Sequence, residues 1–290
     1  MSNQITLASN FTALLDEAYR AASVTGDLNT NDATILASAN AGEVKVPKMT
    51  VDGLADYSRN GGYTNGSVAL EWETVKYNYD RGRIFEVDSM DNQESVNLAF
   101  GQLGGQLMKN AVAPEADAFT FATLAGLDNI LTTDGADLTT GEAALEAIRA
   151  AENAMDAEEV DTGRVLYIAP ALYRAVQAMD SYKSQQVLAD FSKIQLVPVK
   201  RFYTAIDMQD GKTSGEEAGG YKKATDGVNI NFMIIEPTAI LKADKHIASD
   251  IIDRAQNQHA DAYMLKYRKY GLVSAYENKR SGIYLHKATK

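Results

Sequence analysis

The sequence predicts an α+β fold in which a long exposed β-ribbon is hinged to a long helix, beside a strand-and-helix unit that the chain enters and leaves. Three observations point there. Aromatic-rich strands with a glycine-rich tip run from Met49 to Val87. A helix with marked ends runs from Asp91 toward Pro114. From Thr139 onward, strand and helix patterns alternate before β-rich sequence returns near the C-terminal end.

Taken in order, Phe11, Leu14, Leu15, Ala18 and Tyr19 share one face of a short amphipathic helix. Residues 26–41 are small and polar and read as an extended arm, which can be ordered only against another part of the fold or another subunit. Between Lys48 and Asp88, two strand-like stretches flank Asn60-Gly61-Gly62-Tyr63-Thr64-Asn65-Gly66, whose Asn-Gly and Gly-Gly pairs suit the positive φ of a hairpin turn. The return strand puts Val68, Leu70 and Trp72 on one face, then Val75, Tyr77 and Tyr79 on the other. An isolated hairpin is marginal in water, so apolar residues on both faces point to contact with neighbouring molecules.

Asp91 is placed to cap the next helix, with Glu94 favouring its first turn. Val96, Ala99, Leu103 and Leu107 form its apolar stripe, Gly101, Gly104 and Gly105 suggest close approach by another backbone, and Pro114 is expected to end it. Phe119, Phe121 and Leu124 then read as an apolar run folding back on that helix. Thr139 and Glu142 form a capping box for an alanine-rich helix through Met155. Arg164–Ile168 reads as a buried strand, Pro170 opens a helix through Met179, and residues 211–227 read as an exposed loop. Val228–Ile235 is a strand, and Tyr263–Leu285 has the β-branched and aromatic content to close a sheet.

Composition limits function. With 290 residues, 45% of them hydrophobic, the chain can bury a large core. No stretch approaches the ~20 apolar residues of a bilayer span and no leader pattern opens the sequence, so no membrane partner and no export are expected. The absence of cysteine removes disulfides, thiolate nucleophiles and cysteine-ligated metals. A net charge of -11 argues against a general grip on nucleic acid. The charge is uneven: residues 134–163 hold nine acids against Arg149, and residues 259–290 hold seven bases against Asp261 and Glu277. Solvated faces account for both runs, and alignment of subunits is the sharper reading.

No catalytic constellation is evident. His246, His259 and His286 lie too far apart for a short metal motif. Gly211-Lys212-Thr213 imitates the end of a phosphate loop, but Ile206 stands where its first glycine belongs. Glu158-Glu159 could hold a cation at a subunit junction, but acid pairs on helices are commonly solvated. We expect no catalytic, cofactor or metal residues.

Five passages carry a resemblance. They are Asp56-Tyr57-Ser58-Arg59-Asn60-Gly61-Gly62-Tyr63, the passage from Asp80-Arg81-Gly82 to Glu94, Pro114-Glu115-Ala116-Asp117, Val197-Pro198-Val199-Lys200-Arg201-Phe202-Tyr203, and Tyr267-Arg268-Lys269-Tyr270-Gly271 with Glu277-Asn278-Lys279. In this order, from about Leu28 to Tyr284, the chain resembles tailed-bacteriophage major capsid proteins. The resemblance implies the Hong Kong 97-like capsid fold: an N-terminal arm at 1–48, an extended hairpin loop at 49–87, a peripheral domain with its spine helix at 88–138, an axial domain at 139–231 and a return to the peripheral domain at 232–290. It implies a structural protein that forms pentamers and hexamers of an icosahedral shell around packaged double-stranded DNA, assembled in the host bacterial cytoplasm. Intersubunit contacts would come from Tyr57, Arg59, Tyr63, Leu70, Trp72, Tyr77, Tyr79, Arg81 and Arg83, and the spine helix would carry Val96, Ala99, Leu103 and Leu107. The early arm-like sequence suggests a separate scaffolding protein, beside a portal. With Lys76 the only lysine in residues 49–87, no covalent cross-link between subunits is expected. An encapsulin-type nanocompartment has the same fold and is the alternative, kept open by the helix at Phe11–Tyr19; a soluble α/β enzyme is the remaining one.

Overall fold

The computed structural model describes residues 15–290 except 16, 20, 31–35, 38–41, 95–97, 134 and 180–181, with backbone alone at 36–37 and 98–101. The chain divides into two units, Asn31–Asn78 and the remainder.

The smaller unit is a three-stranded antiparallel sheet of β1 (Leu36–Ala37), β2 (Glu43–Val51) and β3 (Val68–Lys76), in the order β1-β2-β3. Its hairpin strands pair from Glu43 with Lys76 out to Val51 with Val68. The hairpin therefore starts before Met49 and closes at Lys76. The strand Tyr79–Asp88, expected to continue it, belongs to a different sheet in the other unit. The sequence break is Tyr77-Asn78, which carries no turn signal. At the tip only Gly62 has positive φ, at 78°; Ser58 and Gly62 exchange backbone hydrogen bonds of 3.2 and 2.7 Å, and the Gly61 N–H donates to Ser58 Oγ.

In the larger unit, β4 (Tyr79–Asp88) leads into α1 (Ser89–Glu94), α2 (Leu98–Leu107) and α3 (Ala113–Ala125). The first cap is Asp88, whose carboxylate accepts the Met90 N–H at 2.8 Å, and not Asp91. Between α2 and α3, residues Met108–Val112 form a π-helical turn in which the Ala113 N–H reaches the Met108 carbonyl five residues back. The helix accordingly continues through Pro114 instead of stopping there. A proline ring clashes with the carbonyl four residues earlier in a regular α-helix, and a widened turn just before it relieves that conflict. Phe121 and Leu124 thus extend the same helix and enter the central core. Among the described residues of one chain, a methyl at Gly105 would meet nothing within 4 Å.

Beyond β5 (Leu131–Thr133), α4 (Gly141–Ala157) is capped by Thr140, one residue later than predicted, which accepts the Ala143 N–H. There follow β6 (Val165–Ile168), α5 (Pro170–Gln177), α6 (Tyr182–Ala189), β7 (Lys193–Leu196), β8 (Ile206–Gln209), β9 (Gly220–Lys223), β10 (Ile230–Ile235), β11 (Ile240–Ile252), β12 (Ala262–Ala275) and β13 (Ile283–Lys287). The segment expected as a bare loop at 211–227 contains β9, which pairs antiparallel with β8.

A five-stranded mixed sheet, β5-β13-β10-β6-β7, carries the core on both faces. Side chains alternate across it. Val165, Tyr167, Met233, Ile235 and Leu285 join Phe121, Leu124, Phe202 and Leu28 on one side. Leu166, Ile168, Phe232, Ile234 and Tyr284 join the apolar faces of α4, α5 and α6 on the other. A strand buried on both faces reads as an unbroken apolar run, as Val165-Leu166-Tyr167-Ile168 does. A second sheet, β11-β12-β4, forms a long antiparallel ribbon.

Candidate assembly surfaces

The register of the hairpin sorts its side chains. Directly opposed residues share a face, so Pro47 with Trp72, Met49 with Leu70 and Val51 with Val68 make one apolar stripe along its outer half. The other face of that half carries Lys48 opposite Glu71 and Thr50 opposite Ala69. Nearer the base the polarity switches: Val44 opposes Val75 on this second face, and Val44 and Val46 are buried. The outer stripe is exposed, with Val51 at 65% and Trp72 at 48% of full accessibility. Apolar groups gathered on one face and open to water mark a surface meant to be covered. At the tip, Tyr57 and Tyr63 pack ring to ring at 4.8 Å while both stay exposed, and Arg59 is exposed in the turn between them. Tyr77 lies just past β3, its N–H donating to the Gly42 carbonyl.

Tyr79, Arg81 and Arg83 are used inside the larger unit. Glu115 on α3 accepts from Tyr79 Oη at 3.2 Å and from Arg81 Nε at 2.8 Å. Arg81 Nη2 also donates to the carbonyls of Gln209 and Gly220, and Arg83 donates to those of Glu217 and Ala218. These two arginines, expected between subunits, tie β4 to the β8–β9 hairpin. Burial and the Glu115 charge both raise the Tyr79 pKa, so its hydroxyl stays a donor.

The second acid of Pro114-Glu115-Ala116-Asp117 is the most deeply held group. Asp117 is fully buried and accepts from Ser23 Oγ, the Val24 and Thr25 N–H groups, Thr25 Oγ1 at 2.7 Å and Arg201 Nη1 at 3.0 Å. Each acid of the passage thus receives one guanidinium: Glu115 that of Arg81, Asp117 that of Arg201. Asp80 in turn takes Arg268 at 2.7 Å. Gly82 lies so close to the β12 backbone that a Cβ would stand 2.8 Å from the Tyr267 carbonyl oxygen. Four of the five passages that carried the resemblance therefore meet in one set of contacts, and the fifth is the hairpin tip. Sequence reading missed Asp117 as a binding centre. The available signal was two carboxylates in a helical stretch otherwise apolar on every side, since such acids are seldom buried without partners.

Of the helix residues, Val96 lies outside the described residues and Ala99 outside those with described side chains. Leu107 packs against the cluster of Leu15, Met108 and Val112, as does Tyr267. Leu103 lines an open cleft of about 870 Å³ whose walls also include Leu107, Phe85, Tyr267, Arg81 and Lys212.

Among the described residues there is no group of three or more His, Asp or Glu side chains that could hold a metal. The Gly211-Lys212-Thr213 passage is internally satisfied: Asp210 accepts the Lys212 and Thr213 N–H groups and Thr213 Oγ1. Those bonds hold its pKa near 2 and occupy the amides that a phosphate would need. His286 is buried against Phe232, ring centroids 4.8 Å apart, and burial lowers its pKa.

No family model matches the chain, and no curated protein is similar to it. Solved structures are similar. One from Mycobacterium phage Che8 superimposes with a TM-score of 0.57 at 13% identity over 85% of each chain. The capsid of Myoviridae phage XM1 does so with a TM-score of 0.56 at 10% identity, over 92% of this chain and 91% of that one. A virus-like particle from Pyrococcus furiosus gives 0.55 at 11% identity, over 97% and 99%. These likenesses span nearly the whole chain, and its mixture of helix and sheet agrees with them: the protein has the Hong Kong 97-like capsid fold.

Proposed function

We propose that this chain is the major capsid protein of a tailed bacteriophage, a non-enzymatic subunit that assembles with copies of itself into an icosahedral shell. The observation that carries the reading is the outer half of the hairpin, where Pro47, Trp72, Met49, Leu70, Val51 and Val68 form an exposed stripe on one face only. A stripe of this kind gains stability when it is buried, at roughly 25 cal/mol per Å² removed from water. A neighbouring copy is the natural cover, and Tyr57, Arg59 and Tyr63 at the tip would add contacts there. Tyr77, at the base of the hairpin, belongs to the same proposed interface. Tyr79, Arg81 and Arg83 act one step back, fixing the strand that follows the hairpin. The larger unit would divide into peripheral (88–138 and 232–290) and axial (139–231) domains, with pentamers and hexamers formed around the axial one.

In this reading the shell encloses double-stranded DNA without sequence-specific binding, consistent with a net charge of -11. A portal and a separate scaffolding protein are the further partners, and the host cytoplasm is the place of assembly. The test is negative-stain microscopy with sedimentation of the purified protein, alone and with its neighbouring genes. Closed particles or capsomers are expected, and removal of residues 59–63 should leave a folded subunit that assembles poorly. A monomer under every condition would refute the shell reading. The near-complete mutual coverage with the Pyrococcus particle keeps a nanocompartment as the second reading; a cargo-protein gene beside this one, in place of portal and packaging genes, would favour it.

A further inference from the structure

Residues 22–30 form a strap against the rest of the larger unit, and Thr25 is where it is held. Thr25 is fully buried. Its hydroxyl donates to Asp117 at 2.7 Å and accepts from Lys242 Nζ at 2.7 Å, its N–H donates to Asp117, and its carbonyl accepts from Lys242 Nζ at 3.0 Å. On either side, the Ala22 carbonyl accepts from Arg201, Asp27 takes Lys193 at 2.6 Å, and Thr30 exchanges hydrogen bonds with the Lys242 backbone and the Ile240 carbonyl. Leu28 inserts into the central core. One threonine therefore stands between a buried carboxylate and a buried ammonium that would otherwise lose hydrogen-bond partners.

We propose that residues 22–30 are a proton-linked latch that opens as a unit, its docking on the body controlled by the charge on Lys242 through Thr25. The charged groups around Lys242 are Asp117 from α3, Asp244 from β11 and Lys269 from β12, and Tyr79 lines a small space together with Lys242, Asp244 and Lys269. Lys269 is itself held by Asp244 at 3.0 Å and Tyr19 at 2.8 Å. Burial, and next the Lys269 charge, bring Lys242 down to about 8 with the strap in place. With the strap released, water reaches the ammonium and its pKa returns toward the ordinary value of about 10.4. Protonation therefore favours release, and docking tightens as pH rises from the neighbourhood of 8 toward 10. Tyr19 and Lys269 are both shifted upward and work in the opposite direction, but their titration falls mostly above pH 9. Linkage converts the Lys242 shift into about tenfold tighter docking between pH 7 and pH 9.

This inference rests on contacts within one chain and stands whether or not the protein forms a shell. The experiment is native-state hydrogen exchange on the full chain, following the Val24, Thr25 and Thr30 amides against those of the central strands Val165–Ile168 and Ile230–Ile235. Corrected for intrinsic exchange, strap protection should rise about tenfold from pH 7 to pH 9 in the unmodified protein while staying well below that of the central strands, which exchange only on global unfolding. Lys242→Met should abolish that dependence, and Thr25→Val should speed strap exchange at least tenfold. A pH-independent strap would overturn the proposal. So would strap amides as strongly protected as those of the sheet at every pH, since the segment would then open only with the whole molecule. The pH series on the unmodified protein decides the matter even where a variant does not fold.

Discussion

At the scale of single residues, the outcome is decided by acids whose partners are distant in sequence. Asp117 draws its donors from residues 23–25 and from Arg201, and Glu115 draws its own from Tyr79 and Arg81. Replacing one member of a buried pair strands the other in a medium that solvates it badly, which typically costs 3–5 kcal/mol. Asp117→Asn should accordingly lower unfolding stability by about 3 kcal/mol in urea titration, because the amide nitrogen faces donors and the Arg201 charge loses its counterpart. The Asp80 to Arg268 pair is similar in distance but lies in water, and screening leaves such pairs with little net effect. Asp80→Asn should leave the urea midpoint unchanged. The contrast is a test of burial as the deciding variable.

At the scale of elements, two features of α4 make predictions that propensity alone would get wrong. Gly141 opens the helix where a Cβ would stand 2.3 Å from the Ala175 carbonyl oxygen of α5. Alanine is the better helix former by about 1 kcal/mol, yet the backbone of α5 cannot yield without moving the helix. Gly141→Ala should therefore destabilise the fold by about 1–3 kcal/mol in the same titration. Further along, Glu152 is half-buried and its pKa is raised to about 7, by burial first and then by the Asp190 charge. A carboxyl group with a folded pKa above its unfolded value favours folding below about pH 4.5, and that contribution is lost as pH rises through 7. Glu152→Gln should thus raise the urea midpoint at pH 8 and leave it nearly unchanged at pH 5. A variant equally affected at both values would rule out titration as the cause. The π-turn at Met108–Val112 belongs to this scale too: Pro114 reads as a stop, and a single widened turn turns it into a residue within a continuing helix.

At the scale of the molecule, the hairpin and the body obey different rules. The body has a core on both faces of one sheet, and its buried carboxylates Glu115 and Asp117 are paired with arginines from two distant segments. The hairpin keeps an apolar face in water. Leu70→Asp should consequently leave thermal unfolding of the isolated subunit unaltered while abolishing particles in sedimentation and microscopy. Loss of subunit stability together with loss of particles would assign the stripe to internal packing instead.

Much of this was legible in the chain itself. The alternation of Val68, Leu70 and Trp72, the apolar run Val165–Ile168, the proline opening α5 and the small-residue face of α4 depend on neighbours within a few residues, and period and propensity report them directly. The hairpin limits and the fate of Tyr79, Arg81 and Arg83 were not legible. The alternating pattern runs on past Tyr77-Asn78, and only the pairing of β4 with β12, nearly two hundred residues later, takes that strand out of the hairpin. Thr140 capping in place of Thr139 and Asp88 in place of Asp91 show the same limit at short range, since which of two nearby polar side chains reaches an amide depends on where the helix is held. By itself the sequence determined an α+β chain with an exposed ribbon and a long helix, because those properties follow from local pattern and composition. Only the tertiary structure decided which charges are buried, what they pair with and which half of the ribbon presents its apolar face, because desolvation and register are set by residues that meet only after the chain has folded.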